Sequence, residues 1–139
     1  MAFSHELRVR YGECDPQGIV FNANYLAYFD VAVTELWREA IGGWQVMVEK
    51  GVDVVVGEAN LRFRGAARND DVLTVSAAFT HFGTTSATLA LRIHREGELL
   101  VEGSLRQVFV DVKSFGKTPI PGWLRAALEP YAATAGTGA

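Results

Sequence analysis

The residues best equipped for chemistry sit together near the N-terminus, in the run YGECDPQGIVFNANY from Tyr11 to Tyr25. Asp15 precedes Pro16, which pushes the Asp backbone toward extended geometry, and Asp-Pro-Gln-Gly has the composition of a tight turn. A carboxylate is thereby presented at a bend. Just downstream, Asn22 or Asn24 can cap a helix that begins near Tyr25. Unpaired backbone N–H groups and the positive end of a helix dipole then fall close in sequence to Asp15. A carboxylate beside an anion-stabilising helix start suits acyl chemistry. It can attack a carbonyl to give a mixed anhydride, or activate water as a general base, while N–H donors stabilise the developing oxyanion. The residues leave both routes open. Gly18 allows close backbone approach, and it serves equally well as a turn glycine.

Other candidate groups carry less. Cys14 has no His near it in sequence to act as base, and a free Cys is commonly a small buried hydrophobe. His5, His81 and His94 lack metal-ligand spacing, so no metal is implied, and neither a phosphate loop nor a dinucleotide motif is present. Asp30 lies in the apolar half of the helix, where an unpaired charge is costly, so a salt-bridge or capping partner is expected. Arg62 and Arg64 share one side of a strand, ordinarily a solvated face; were the substrate to carry phosphates, they and Arg68, Arg92 and Lys113 would be the candidate surface cations.

The elements that must position these groups follow from periodicity. Phe3, His5, Leu7, Val9 and Tyr11 alternate with polar residues, giving a strand that leads into the Asp15 turn. From Tyr25 to about Ile41, Leu26, Phe29, Val33, Leu36, Trp37 and Ala40 recur at spacings of three and four. The first half of that helix is apolar nearly all round, which predicts that it is enclosed. Gly42-Gly43 stops it, and Trp44 to Lys50 reads as a short second helical piece. Strands are expected from Val52 to Arg64 with a bend at Gly57, from Val72 to Phe82, from Thr85 to Arg95 and from Leu99 to Val112. Short turns between them predict an antiparallel meander. A terminal helix from Trp123 to Leu128 ends the domain, taken as 1–132, with 133–139 a flexible tail.

The chain has 139 residues, 49% hydrophobic and 21% charged, which fits one α+β domain with its own core. A net charge of −3 disfavours nucleic-acid binding. No apolar run reaches membrane-spanning length, no basic segment followed by an apolar one opens the chain, and the single Cys suits a reducing compartment. A cytoplasmic location is therefore expected. A curved sheet of about five strands around one helix leaves an edge exposed, so a homodimer, or a tetramer of two such dimers, is expected, with a ligand cleft between subunits.

Tyr11-Gly-Glu-Cys-Asp-Pro-Gln-Gly-Ile-Val, then Asn24-Tyr25, then Asp70-Asp71-Val-Leu-Thr-Val, resemble the hotdog-fold acyl-CoA thioesterases, in particular the 4-hydroxybenzoyl-CoA thioesterase branch. The likeness runs from about Val9 to about Pro121. It implies a long central helix wrapped by an antiparallel sheet, dimers with joined sheets, and interfacial sites that hydrolyse acyl-CoA without a cofactor. It also implies catalysis by Asp15 and carbonyl polarisation by the backbone N–H at Asn22, where relatives carry Tyr or His instead of Asn. Gly18 falls in the same motif, and Val20, Asn24, Tyr25, Arg62 and Arg64 are the candidate substrate contacts. A second lineage of the fold places its carboxylate on the helix, for which Asp30 or Glu35 would serve. Two other functions suit the same fold: release of a polyketide or fatty-acyl chain from a carrier protein, and non-catalytic acyl-CoA binding.

Overall fold

The computed structural model describes residues 3–134. Strand β1 (Phe3–Arg8) is followed by a single 3-10 turn (Tyr11–Glu13), helix α1 (Asn24–Ile41) and the short helix α2 (Trp44–Glu49). Strands β2 (Val52–Phe63), β3 (Val72–Phe82), β4 (Ser86–Arg95) and β5 (Glu98–Asp111) come next, then helix α3 (Gly122–Leu128) and a second 3-10 turn (Glu129–Tyr131). The tail expected at 133–139 lies outside the described residues from 135 onward; Ala133 still donates its N–H to the Phe79 carbonyl at 2.7 Å.

The expected strands are present, but their order is not that of a simple meander. All five form one antiparallel sheet in the order β1-β3-β4-β5-β2. β3, β4 and β5 do run consecutively, whereas β2 pairs with β5 at the far edge and β1 takes the place beside β3. The connection from β2 to β3 therefore crosses the end of the sheet instead of making a hairpin. That crossing brings residues 64–71 against the segment carrying Asp15. β2 bends where expected, at a register shift between Val56 and Glu58 around Gly57.

Register explains the two faces. Phe3, Ala77, Leu91, Gly103 and Leu61 form one transverse row, and Phe3, Ala77 and Leu91 in it are buried under α1. The adjacent row, Ser4, Ser76, Arg92, Glu102 and Arg62, is polar and faces the other way. α1 buries Tyr25, Tyr28, Phe29, Ala32, Val33, Leu36 and Trp37. Trp37 lies edge-on to Phe79 and Phe109, with centroids 6.5 and 6.4 Å apart.

Two expectations about α1 change. The helix is not fully enclosed: Ala27, Asp30, Val31 and Thr34 form an exposed stripe, because one sheet covers only one side of it. Among the described residues Asp30 has no ion-pair partner; it is exposed, although nearby protein displaces enough water to push its carboxyl above the usual range. Tyr11, expected on the buried side of β1, is 83% exposed because the chain has already turned into the 3-10 segment.

Candidate active site

Asp15 lies at the tip of a small hairpin. Its N–H donates to the Ile19 carbonyl at 2.9 Å, its carbonyl accepts from Gly18 N–H at 2.9 Å, and Cys14 and Val20 form the next bridge. Pro16 fits the first turn position, while Gly18 takes φ +81°, a left-handed conformation that favours glycine. Asp15 Oδ1 accepts a 2.8 Å bond from Gln17 N–H, which fixes the carboxylate over the turn. Oδ2 has no partner among the described residues, so it is the oxygen available for reaction. The carboxylate is partly exposed.

The start of α1 supplies the complementary charge. The capping expectation fails here: the residue before the helix is Ala23, and no side chain caps it. Asn24 is the first helical residue, and its amide instead donates to the Glu13 carbonyl at 2.8 Å, an acceptor the hairpin brings within reach. Asn22 is exposed, and its carbonyl accepts Tyr25 N–H at 3.3 Å. The N–H groups of Asn22 and Ala23 have no acceptor among the described residues. Two helix-start donors are thus left open on the same segment as Asp15.

Asp15, Gly18 and Asn22 remain accessible, while Val20, Asn24, Tyr25 and Arg64 have partners within the protein. Tyr25 is 3% exposed, its hydroxyl accepts Ala67 N–H at 3.0 Å, and its ring meets Phe63 at 5.7 Å. Val20 is 2% exposed and donates its N–H to the Ala67 carbonyl at 2.9 Å. Arg62 and Arg64 lie on the sheet face opposite α1, where Arg64 pairs with Glu102 at 2.9 Å.

The crossover segment supports the hairpin from behind. Ile19 bridges Arg68, and the segment is held by Arg95, which donates to Asp71 Oδ2 at 2.8 Å and to the Ala66 carbonyl at 3.1 Å. Burial would raise the Asp71 pKa, but the Arg95 guanidinium and the Arg68 N–H outweigh it and hold the carboxyl below its usual value. The residue that sequence reasoning missed is Glu13, which bonds to both the hairpin and α1. Its signal was faint: Asn24 and Tyr28 are polar groups four apart on an otherwise apolar helix surface, and both need partners. Among the described residues, no three His, Cys, Asp or Glu side chains could together hold a metal ion.

One long helix laid across a five-stranded antiparallel sheet, with a carboxylate turn beside the helix start, defines a hotdog-fold domain of the acyl-thioester type. The chain belongs to the thioesterase superfamily, whose family model matches residues 17–102, beginning inside the Asp15 turn. Acyl-CoA thioester hydrolase YbgC of Escherichia coli O6:H1 is 32% identical over 110 residues, 78% of this chain and 82% of that protein. The 4-hydroxybenzoyl-CoA thioesterase of Pseudomonas sp. is 37% identical over 71 residues, 49% of this chain and 50% of that one. A solved thioesterase superfamily structure from Jannaschia sp. CCS1 superposes with a TM-score of 0.89 at 26% identity, covering 96% of this chain and 94% of that one.

Proposed function

We propose that the protein hydrolyses an acyl-CoA to a free carboxylic acid and CoA, with Asp15 as nucleophile or general base. The observation that carries this reading is the pairing on one segment of a carboxylate with a free Oδ2 and a helix start whose Asn22 and Ala23 N–H groups lack acceptors. The family membership and the names of the relatives support thioester hydrolysis as the reaction.

In the nucleophilic route, Oδ2 attacks the thioester carbon, the C–S bond breaks, CoA leaves as its thiolate, and water hydrolyses the mixed anhydride to regenerate the carboxylate. In the general-base route, Oδ2 takes a proton from the attacking water, and the tetrahedral intermediate expels the thiolate. Both place negative charge on the former carbonyl oxygen. Backbone donors at Asn22 and Ala23 suit that charge, and because they are main-chain groups an Asn side chain serves as well as Tyr or His. Neither route requires a cofactor.

The protein is read as a homodimer, with a tetramer of two such dimers as the larger assembly. β2 is a 12-residue edge strand carrying exposed Val56 and Phe63, the kind of edge that a second β2 would cover. The decisive test is Asp15→Asn against a panel of aromatic and aliphatic acyl-CoA and acyl-carrier substrates. A kcat lower by about 10²–10⁴-fold is expected. Near wild-type rates in the variant would remove Asp15 from the chemistry, and binding without hydrolysis by the wild type would make this a binding protein.

A further inference from the structure

We propose that Glu13 is a positioning residue, which clamps the hairpin bearing Asp15 to the first turns of α1 and so sets the carboxylate against the helix-start N–H groups. The inference rests on the reading of Asp15 given above. Glu13 accepts four hydrogen bonds that converge from both sides of the site, besides donating its own N–H to the Arg10 carbonyl at 2.9 Å. Its Oε1 accepts from the Tyr28 hydroxyl at 2.8 Å and from Arg10 N–H at 2.9 Å. Its carbonyl oxygen accepts from Phe21 N–H at 3.0 Å and from the Asn24 side-chain amide at 2.8 Å.

The Phe21 bond belongs to the hairpin ladder, and the hairpin would make it unaided. The other contacts are additional. Asn24 and Tyr28 are four residues apart, so they project from the same face of α1, and both reach Glu13. Tyr28 is 4% exposed and cannot swing away to solvent without leaving the core. Burial first, and the bond to Glu13 second, push its pKa well above the ordinary phenol value, so the hydroxyl remains a donor throughout the working pH range. The first two turns of α1 and the strand leading to Asp15 are therefore joined through one residue. A displacement of about 1 Å between reacting groups can cost about 10²-fold in rate, so such a joint has kinetic consequences without touching substrate.

Glu13→Ala, Glu13→Gln and Tyr28→Phe test the clamp. Gln keeps an oxygen that accepts both bonds, and Phe removes only a hydroxyl from a buried ring. Cys14, the only cysteine in the chain, sits between Glu13 and Asp15, so its alkylation rate reports local order without reference to activity. Glu13→Ala and Tyr28→Phe should lower kcat by about 10–100-fold with KM within about three-fold of wild type. Both should speed Cys14 alkylation several-fold, and Glu13→Gln should match wild type in each measurement. Unchanged alkylation in Tyr28→Phe and Glu13→Ala overturns the clamp, as does faster alkylation with unchanged kcat, or a Gln variant as impaired as Ala. If wild type hydrolyses no thioester, the functional reading falls, while the alkylation rates still decide whether Glu13 holds the hairpin.

Discussion

The Tyr25 hydroxyl accepts a 3.0 Å hydrogen bond from the backbone N–H of Ala67, which lies 42 residues further along the chain and is fully buried. The same Ala67 presents its carbonyl to Val20 N–H at 2.9 Å, so one crossover residue ties the helix start to the Asp15 hairpin. Tyr25→Phe keeps the ring contacts with Tyr28 and Phe63 but strands a buried donor. We expect a loss of about 1–3 kcal/mol in unfolding free energy, read by urea denaturation at constant m-value. A loss below about 0.5 kcal/mol would mean that water replaces the hydroxyl.

Gly18 is constrained by its backbone and not by its surroundings. A Cβ there would meet nothing within 4 Å, yet φ is +81°. Gly18→Ala should therefore cost about 1–2 kcal/mol through conformation, Gly18→Asn less, and Gly18→Val most. If Gly18 serves only the turn, the Asn variant retains kcat and KM near wild type. A raised KM in a normally stable Gly18→Asn protein would show that substrate fills the open space beside the glycine.

The Arg95–Asp71 pair gives the crossover a pH dependence of definite sign. Asp71 has a depressed pKa when folded, so its contribution to stability is fully present above the unfolded carboxylate pKa of about 3.9 and disappears as pH falls through the lower folded value. Asp71→Asn should destabilise the protein by about 1–3 kcal/mol at neutral pH, since it weakens the 2.8 Å bond to Arg95. The gap between the two proteins should narrow as the solution is acidified below about pH 4. A gap independent of pH would assign the effect to packing.

Only part of this architecture is encoded in local sequence pattern. Alternation from Phe3 to Leu7 and the spacing of Phe29, Val33, Leu36 and Trp37 are local patterns, so β1 and α1 were legible, as was a carboxylate turn at Asp-Pro-Gln-Gly. Strand neighbours are not local. Nothing in the periodicity of Val52 to Phe63 says that β2 pairs with β5 instead of β3, so the crossover that brings Ala67 and Arg68 to the hairpin could not be read. For the same reason Asn24 and Tyr25 look like ligand contacts in sequence, while their partners, Glu13 and Ala67, arrive only with the tertiary fold. The exposed stripe at Asp30 and Val31 was hidden too, because apolar content does not reveal how many sides of a helix are covered.

β2 and β1 form the two free edges of the sheet. β1 has six residues and β2 has twelve, so β2 presents the longer row of unpaired backbone groups. Val56 and Phe63 on it are 46% and 55% exposed, and apolar side chains along an open edge favour covering by a like strand. An isologous β2 pairing repeats every contact about a two-fold axis, so a single charge introduced there appears twice and faces its own copy. Val56→Glu should therefore shift the particle from dimer to protomer mass in sedimentation velocity, with salt partly restoring the dimer by screening. If the active cleft is completed across that seam, kcat/KM should fall in step with dissociation as the protein is diluted. A Val56→Glu protein that sediments as a dimer at all concentrations would place the subunit contact elsewhere on the molecule.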